Sequence, residues 1–160
     1  MSVQYKILEI KYEEFADITG LKPIEEELAK RAIEVQKSSY APYSNFNVGA
    51  AVLLENGEIV TGSNQENAAT PSGLCAERVA LFAAGAKNPG VPVVALALVG
   101  GPNGSICDEP ATPCGACRQV MAEYQKISHR PMTIIMIGKN RVLRFNRVDD
   151  ILPFIFTSMD

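Results

Sequence analysis

Pro113-Cys114-Gly115-Ala116-Cys117-Arg118 sets two thiols three positions apart at the start of a helix pattern. On one helical turn both sulfurs reach a single ion. The same arrangement suits dithiol redox chemistry, in which the helix dipole stabilises a thiolate. Taken alone, the motif leaves the metal and redox readings level. Cys75-Ala76-Glu77, at the start of another helix pattern, shifts the balance toward metal by adding a third thiolate and a carboxylate. First-turn side chains lean toward the helix N-terminus, so Cys75 and Glu77 both reach the space beyond it. Catalytic zinc keeps three protein ligands and a fourth position for water, whose pKa it lowers to about 7. Glu77 then serves as general acid and base. Three thiolates leave the ion with net negative charge, which two helix N-termini and a hydrogen bond from Arg78 or Arg118 would offset.

Competing readings of these residues remain. Free cysteines are often small buried hydrophobes. Cys107 could complete a closed structural zinc site, although Glu77 would then have no task; by itself Cys107 reads as a free loop thiol. A thiol oxidoreductase would use Cys114 and Cys117 but would not need Cys75 or Glu77. The single histidine, His129, excludes a histidine-rich metal site and argues against a Ser-His-Asp hydrolase.

The elements that must position these groups follow from periodicity. Residues 23–38 carry Ile24, Leu28, Ala32 and Val35 at helical spacing, with Pro23 suited to the first turn. Residues 46–54 and 58–63 flank the Asn56-Gly57 turn signal as a β-hairpin. A small-residue helix over 74–87 places Cys75 and Glu77 in its first turn. Residues 91–99 read as a buried strand, 114–125 as a helix, 132–137 as a strand and 142–145 as a weaker one. The intervening loop, 100–113, has the character of a ligand-shaping segment. This order implies an α/β fold, a mixed central sheet of about five strands with helices on its faces. Residues 1–160 read as one domain, and residues 1–22 as an N-terminal extension that either adds a strand or lies over the domain.

The chain of 160 residues carries a net charge of −3. That argues against gripping a phosphate backbone, which needs clustered Lys and Arg, and favours a small soluble ligand. Residues 91–99 span only about half of the ~18 residues at which a membrane helix becomes credible. Residues 1–15 lack the apolar stretch of a secretory signal. The expectation is a cytoplasmic protein with no membrane partner, whose cysteines stay reduced.

Cys75-Ala76-Glu77-Arg78 together with Pro113-Cys114-Gly115-Ala116-Cys117-Arg118 resembles the small cytidine deaminase family. Tyr43-Ser44-Asn45-Phe46-Asn47-Val48-Gly49-Ala50-Ala51 and Asn64-Gln65-Glu66-Asn67-Ala68 are similar to its substrate-side segments, in the same order. The likeness runs from about residue 40 to 124, with a similar tail at 152–156. It implies a three-layer α/β/α fold and one zinc ion per chain on Cys75, Cys114 and Cys117. It also implies hydrolytic deamination of cytidine and deoxycytidine to uridine, deoxyuridine and ammonia, with Glu77 shuttling protons, in pyrimidine salvage. The resemblance puts the ribose hydroxyls on Asn64 and Glu66, Phe46 beside the nucleoside and the Ala76 N–H on the base carbonyl, while the charge argument places Arg78 behind the sulfurs. It further implies a homotetramer in which an aromatic residue of a neighbour's C-terminus covers the base, here Phe154, with Phe156 second. Thr70 stands where the family often carries tyrosine, which removes one expected intersubunit contact. Deamination of a base within RNA or DNA, the nearest alternative, calls for a positive groove that the acidic composition does not supply.

Overall fold

Strand β2 (Phe46–Leu54) is buried on both sides: Ala50, Val52 and Leu54 join one apolar cluster, and Ala51 and Leu53 join another. Successive side chains of a strand point to opposite faces, so such a strand requires cover on each. The computed structural model, which describes residues 2–159, supplies it. Helix α1 (Pro23–Val35) covers one face, where Leu28, Ala29 and Ala32 meet Ala51, Ala97 and Ile135. Helices α2 (Ala76–Lys87) and α3 (Gly115–Ile127) cover the other, where Ala80, Leu81 and Met121 meet Val52, Leu96 and Ile134. Gly49 permits the close approach of α1, since a Cβ there would lie 2.1 Å from the Ala32 carbonyl oxygen.

The sheet also contains β1 (Glu13–Phe15), β3 (Ile59–Ser63), β4 (Val93–Pro102), β5 (Thr133–Ile137) and β6 (Val142–Phe145), in the order β1-β6-β5-β4-β2-β3. The β4/β5 pair is parallel and the other pairs are antiparallel. Gly57, at φ +87°, makes the turn between β2 and β3.

Six strands stand where about five were expected, and the additional one comes from the N-terminal extension. Strand β1 pairs with β6, and Arg144 beneath it bonds Glu13 of β1 and, at 3.0 Å, Glu25 of α1. Both Arg144 and Glu25 are buried, so each charge needs the other. Strand β4 runs on to Pro102 because Gly100, Gly101 and Pro102 pair with Val48, Asn47 and Phe46. Among the described residues, no helix is long and apolar enough to cross a membrane.

Candidate active site

Helices α2 and α3 bring their N-termini together on the same side of the sheet. Cys75 and Cys114 are the residues immediately before these helices, with extended backbones, rather than members of the first turns. Neither spends its side chain on a capping hydrogen bond. Their sulfurs lie 3.9 Å apart, and Cys117, one turn into α3, places its sulfur 3.4 Å from that of Cys114. All three sulfurs fall within 4.8 Å of one another. Zinc–sulfur bonds of about 2.3 Å in a tetrahedron put sulfurs about 3.8 Å apart, so the group fits such an ion. Cys107 stands outside the group, which removes the closed four-thiol reading.

Charge around the sulfurs is arranged as a cation site requires. The Cys75 thiol is held well below the ordinary thiol range by a hydrogen bond from Cys117 and by Arg78, against the opposing effect of burial. Cys117, donating to Cys75 and buried, is pushed up. Arg78 Nη2 lies 3.7 Å from Cys75 Sγ, and its buried Nε has no hydrogen-bond partner among the described residues. Arg118 serves elsewhere: its Nε donates to the Pro113 carbonyl at 2.8 Å and its Nη1 to that of Ile151 at 2.6 Å. Of the two arginines weighed for the sulfurs, Arg78 alone reaches one.

Glu77 is 4% exposed. Burial raises its carboxyl above the usual range, and the adjacent Cys75 thiolate adds to the shift. Such a carboxyl holds a proton more readily near neutrality, as a general acid and base must. Ala76, fully buried, opens α2. A helix leaves its first amides without intrahelical acceptors, so the Ala76 N–H is free for another group.

A cavity of about 380 Å³ adjoins Cys75 and Arg78, with Asn64, Glu66, Tyr43 and Thr70 in its wall. Its size suits a small molecule. Asn64 is deeply engaged: its Oδ1 accepts from Ser39 Oγ at 2.6 Å and Val48 N at 2.8 Å, and its Nδ2 donates to Phe46 O at 2.9 Å. That leaves one amide hydrogen for a ligand. Glu66 accepts from Tyr43 N at 2.9 Å, Ser44 N at 3.3 Å and Ser44 Oγ at 2.5 Å. The Ser44–Glu66 contact was not legible in the motif; the local signal was the turn over residues 42–44, set by Pro42 and ending in a hydroxyl residue.

Not every expected residue converges here. The Phe46 ring lies over Gly100 beside Ala111, outside the cavity wall. Phe154 is 97% exposed, at φ +57°, and touches no part of this chain's own cavity.

A model of the cytidine and deoxycytidylate deaminase zinc-binding region matches residues 22–133. The chain belongs to the cytidine and deoxycytidylate deaminase family. A cytidine deaminase of Halalkalibacterium halodurans is 39% identical over 133 residues, 83% of this chain and 94% of that protein. The crystal structure of cytidine deaminase from Burkholderia pseudomallei is 37% identical with a TM-score of 0.69, covering 81% of this chain and 97% of that one. That from Mycobacterium tuberculosis is 34% identical with a TM-score of 0.65, covering 82% and 96%. In this deaminase family the metal is zinc, and the three-sulfur group is the feature of this chain that could hold it. The redox reading of the C-x-x-C motif gives way accordingly.

Proposed function

We propose that this protein deaminates free cytidine and deoxycytidine by hydrolysis, yielding uridine or deoxyuridine and ammonia. The observation that carries the reading is a buried carboxyl, Glu77, two positions from Cys75, whose sulfur belongs to a zinc-sized trio at the edge of a cavity that has Asn64, Glu66 and Arg78 in its wall. Cys75, Cys114 and Cys117 hold the metal, with Arg78 offsetting their charge. Zinc held by these three thiolates would supply an acidified water as nucleophile toward C4 of the base. Glu77 is the residue that holds and moves the protons, one to N3 of the ring and one to the departing amine.

The Ala76 N–H holds the base carbonyl. Asn64, through its remaining amide hydrogen, and the Glu66 carboxylate take the ribose hydroxyls. Phe46 belongs beside the nucleoside in this reading and must turn from its place over Gly100 to reach it. Phe154 is offered outward to a neighbouring copy, where its ring covers the base, and the assembly is a homotetramer. Residues 1–160 act as one domain in the cytoplasm, in pyrimidine salvage, without nucleic-acid or membrane partners.

The test is release of uridine and ammonia by zinc-loaded protein from cytidine, deoxycytidine and a cytosine-containing single-stranded oligonucleotide. Turnover of both nucleosides and not the oligonucleotide is expected. Turnover of the oligonucleotide alone, or of nothing despite bound zinc, would overturn the reading.

A further inference from the structure

We propose that Asn47, acting through Ser39, is a positioning residue for the sugar side of the cavity: it obliges the Ser39 hydroxyl to donate to Asn64, so that Asn64 meets the ligand as a hydrogen-bond donor alone. The inference rests on the ribose role given to Asn64 above. Asn47 is the second residue of β2 and does not belong to the cavity wall. Its side chain connects to Asn64 by way of the serine.

The direction of each bond in the chain follows from the one before it. The Gly104 backbone N–H, which can only donate, meets Asn47 Oδ1 at 2.9 Å. A turned-over amide would set its NH₂ group against that N–H, so Nδ2 of Asn47 lies on the other side, where it donates to Ser39 Oγ at 3.0 Å. A hydroxyl has a single hydrogen, and with a donor already on its oxygen Ser39 spends that hydrogen on Asn64 Oδ1, 2.6 Å away. The Val48 N–H occupies the second lone pair of Oδ1 at 2.8 Å, and Asn64 Nδ2 gives one hydrogen to Phe46 O at 2.9 Å. Both acceptor positions of Asn64 are filled, and the one group it has left to offer is an N–H.

The outer end of this chain is held by the turn that follows β4. Asn103 at φ +52° and Gly104 at φ +76° make that turn, which the Ser105 N–H closes on Pro102 O at 3.0 Å. Buried Gln36 bridges it to β2, donating from Nε2 to Asn47 O at 3.0 Å and to Ser105 O at 2.8 Å. Asn47 is thereby tied to one turn through both its backbone and its side chain. The other sugar-side residue, Glu66, takes hydrogen bonds from Tyr43 and Ser44 that keep it ionised, so it only accepts. One donor and one acceptor suit a hydroxyl, which can answer both.

Asn47→Asp keeps an acceptor for Gly104 but sets a carboxylate oxygen against Ser39, which draws the hydroxyl hydrogen away and turns a lone pair onto Asn64 Oδ1. Steady-state kinetics of the zinc-loaded protein test the consequence. KM for cytidine should rise about tenfold or more while kcat stays within about twofold of wild type, the pattern of lost binding rather than lost chemistry. Inhibition by 2′,3′-dideoxycytidine, which lacks the hydroxyls concerned, should not change. Ser39→Ala should raise KM about threefold to tenfold, the size of one hydrogen bond, and in that background Asn47→Asp should add nothing further. Asn47→Ala leaves the Ser39 hydrogen on Asn64 and should raise KM less than Asn47→Asp does. A role confined to holding the turn predicts the reverse order, because aspartate still accepts from Gly104 and alanine cannot. An unchanged KM in Asn47→Asp, an equal loss of dideoxycytidine inhibition, the reverse order, or a full aspartate effect without Ser39 would each overturn the relay while leaving the ribose reading in place. A wild type that turns over no cytidine would instead remove that reading and the relay with it.

Discussion

Ser44 Oγ donates to Glu66 Oε1 over 2.5 Å and in turn accepts from the Phe46 N–H at 3.0 Å. The serine therefore fixes both the carboxylate and the first residue of β2. It makes the rim of the cavity a built structure in which the Glu66 oxygens have set directions. Ser44→Ala should raise KM for cytidine about threefold to tenfold with little change in kcat, the size expected from losing one hydrogen bond. Kinetics with 2′,3′-dideoxycytidine give the decisive comparison, because a substrate without the 2′- and 3′-hydroxyls should not sense the change. Equal losses on both substrates would sink the ribose role of Glu66.

The same bond sets a pH dependence. Hydrogen bonds from Ser44 and the Tyr43 N–H hold the Glu66 carboxyl below its ordinary range. A folded-state pKa that is depressed means that the network stabilises the protein above the unfolded value, about 4.3, and that this contribution is lost as pH falls through the lower folded value. The Glu66 carboxyl carbon resonance should therefore titrate below the ordinary glutamate midpoint. In Ser44→Ala the midpoint should move upward, and an unmoved midpoint would contradict the assignment.

Glu77→Gln replaces a buried carboxyl by an amide of the same shape. It should leave zinc content and the thermal midpoint close to wild type while lowering kcat by about 10²–10⁴-fold, the usual worth of a positioned acid–base group. Metal analysis beside steady-state rates checks this. A near-wild-type rate would remove Glu77 from the proton path.

Cys114→Ala takes away the sulfur that lies 3.9 Å from Cys75 and 3.4 Å from Cys117. Zinc per chain should fall together with activity, whereas Cys107→Ser, outside the trio, should keep both. Full zinc in Cys114→Ala would refute its part in the site.

Some of this was readable from the chain and some was not, for physical reasons. That Cys114 and Cys117 can share an ion follows from their spacing on one helical turn, whereas their meeting with Cys75, 39 positions earlier, was expected through the family resemblance and depends on how α2 and α3 pack. That Cys75 and Cys114 sit just outside their helices does not follow, since cysteine is no preferred capping residue. Helix α1 and the β2/β3 hairpin were legible from apolar period and from Asn56-Gly57. Strand β1 was not, because three residues acquire strand character only through β6, far along the chain. The engagement of Asn64 depends on Ser39 and Val48, and that of Arg118 on Ile151, contacts that local pattern cannot register.

Phe154 offers the sharpest test of the proposed assembly. An almost wholly exposed phenylalanine at φ +57° wets its ring and holds a left-handed backbone that disfavours a large side chain. Within one chain nothing compensates, so a neighbour's cavity is where the ring would be of use. Phe154→Ala should lower activity while leaving the thermal midpoint close to wild type. Co-expression with Glu77→Gln then separates a role across subunits from one within the chain. In a mixed assembly, a subunit carrying Phe154→Ala keeps its own Glu77 and can receive an intact Phe154 from a Glu77→Gln neighbour. Purified hybrids, selected by two different tags, should exceed the mean activity of the two parent proteins. Activity at that mean would show that each chain relies on its own Phe154, and the neighbour contact would have to be abandoned.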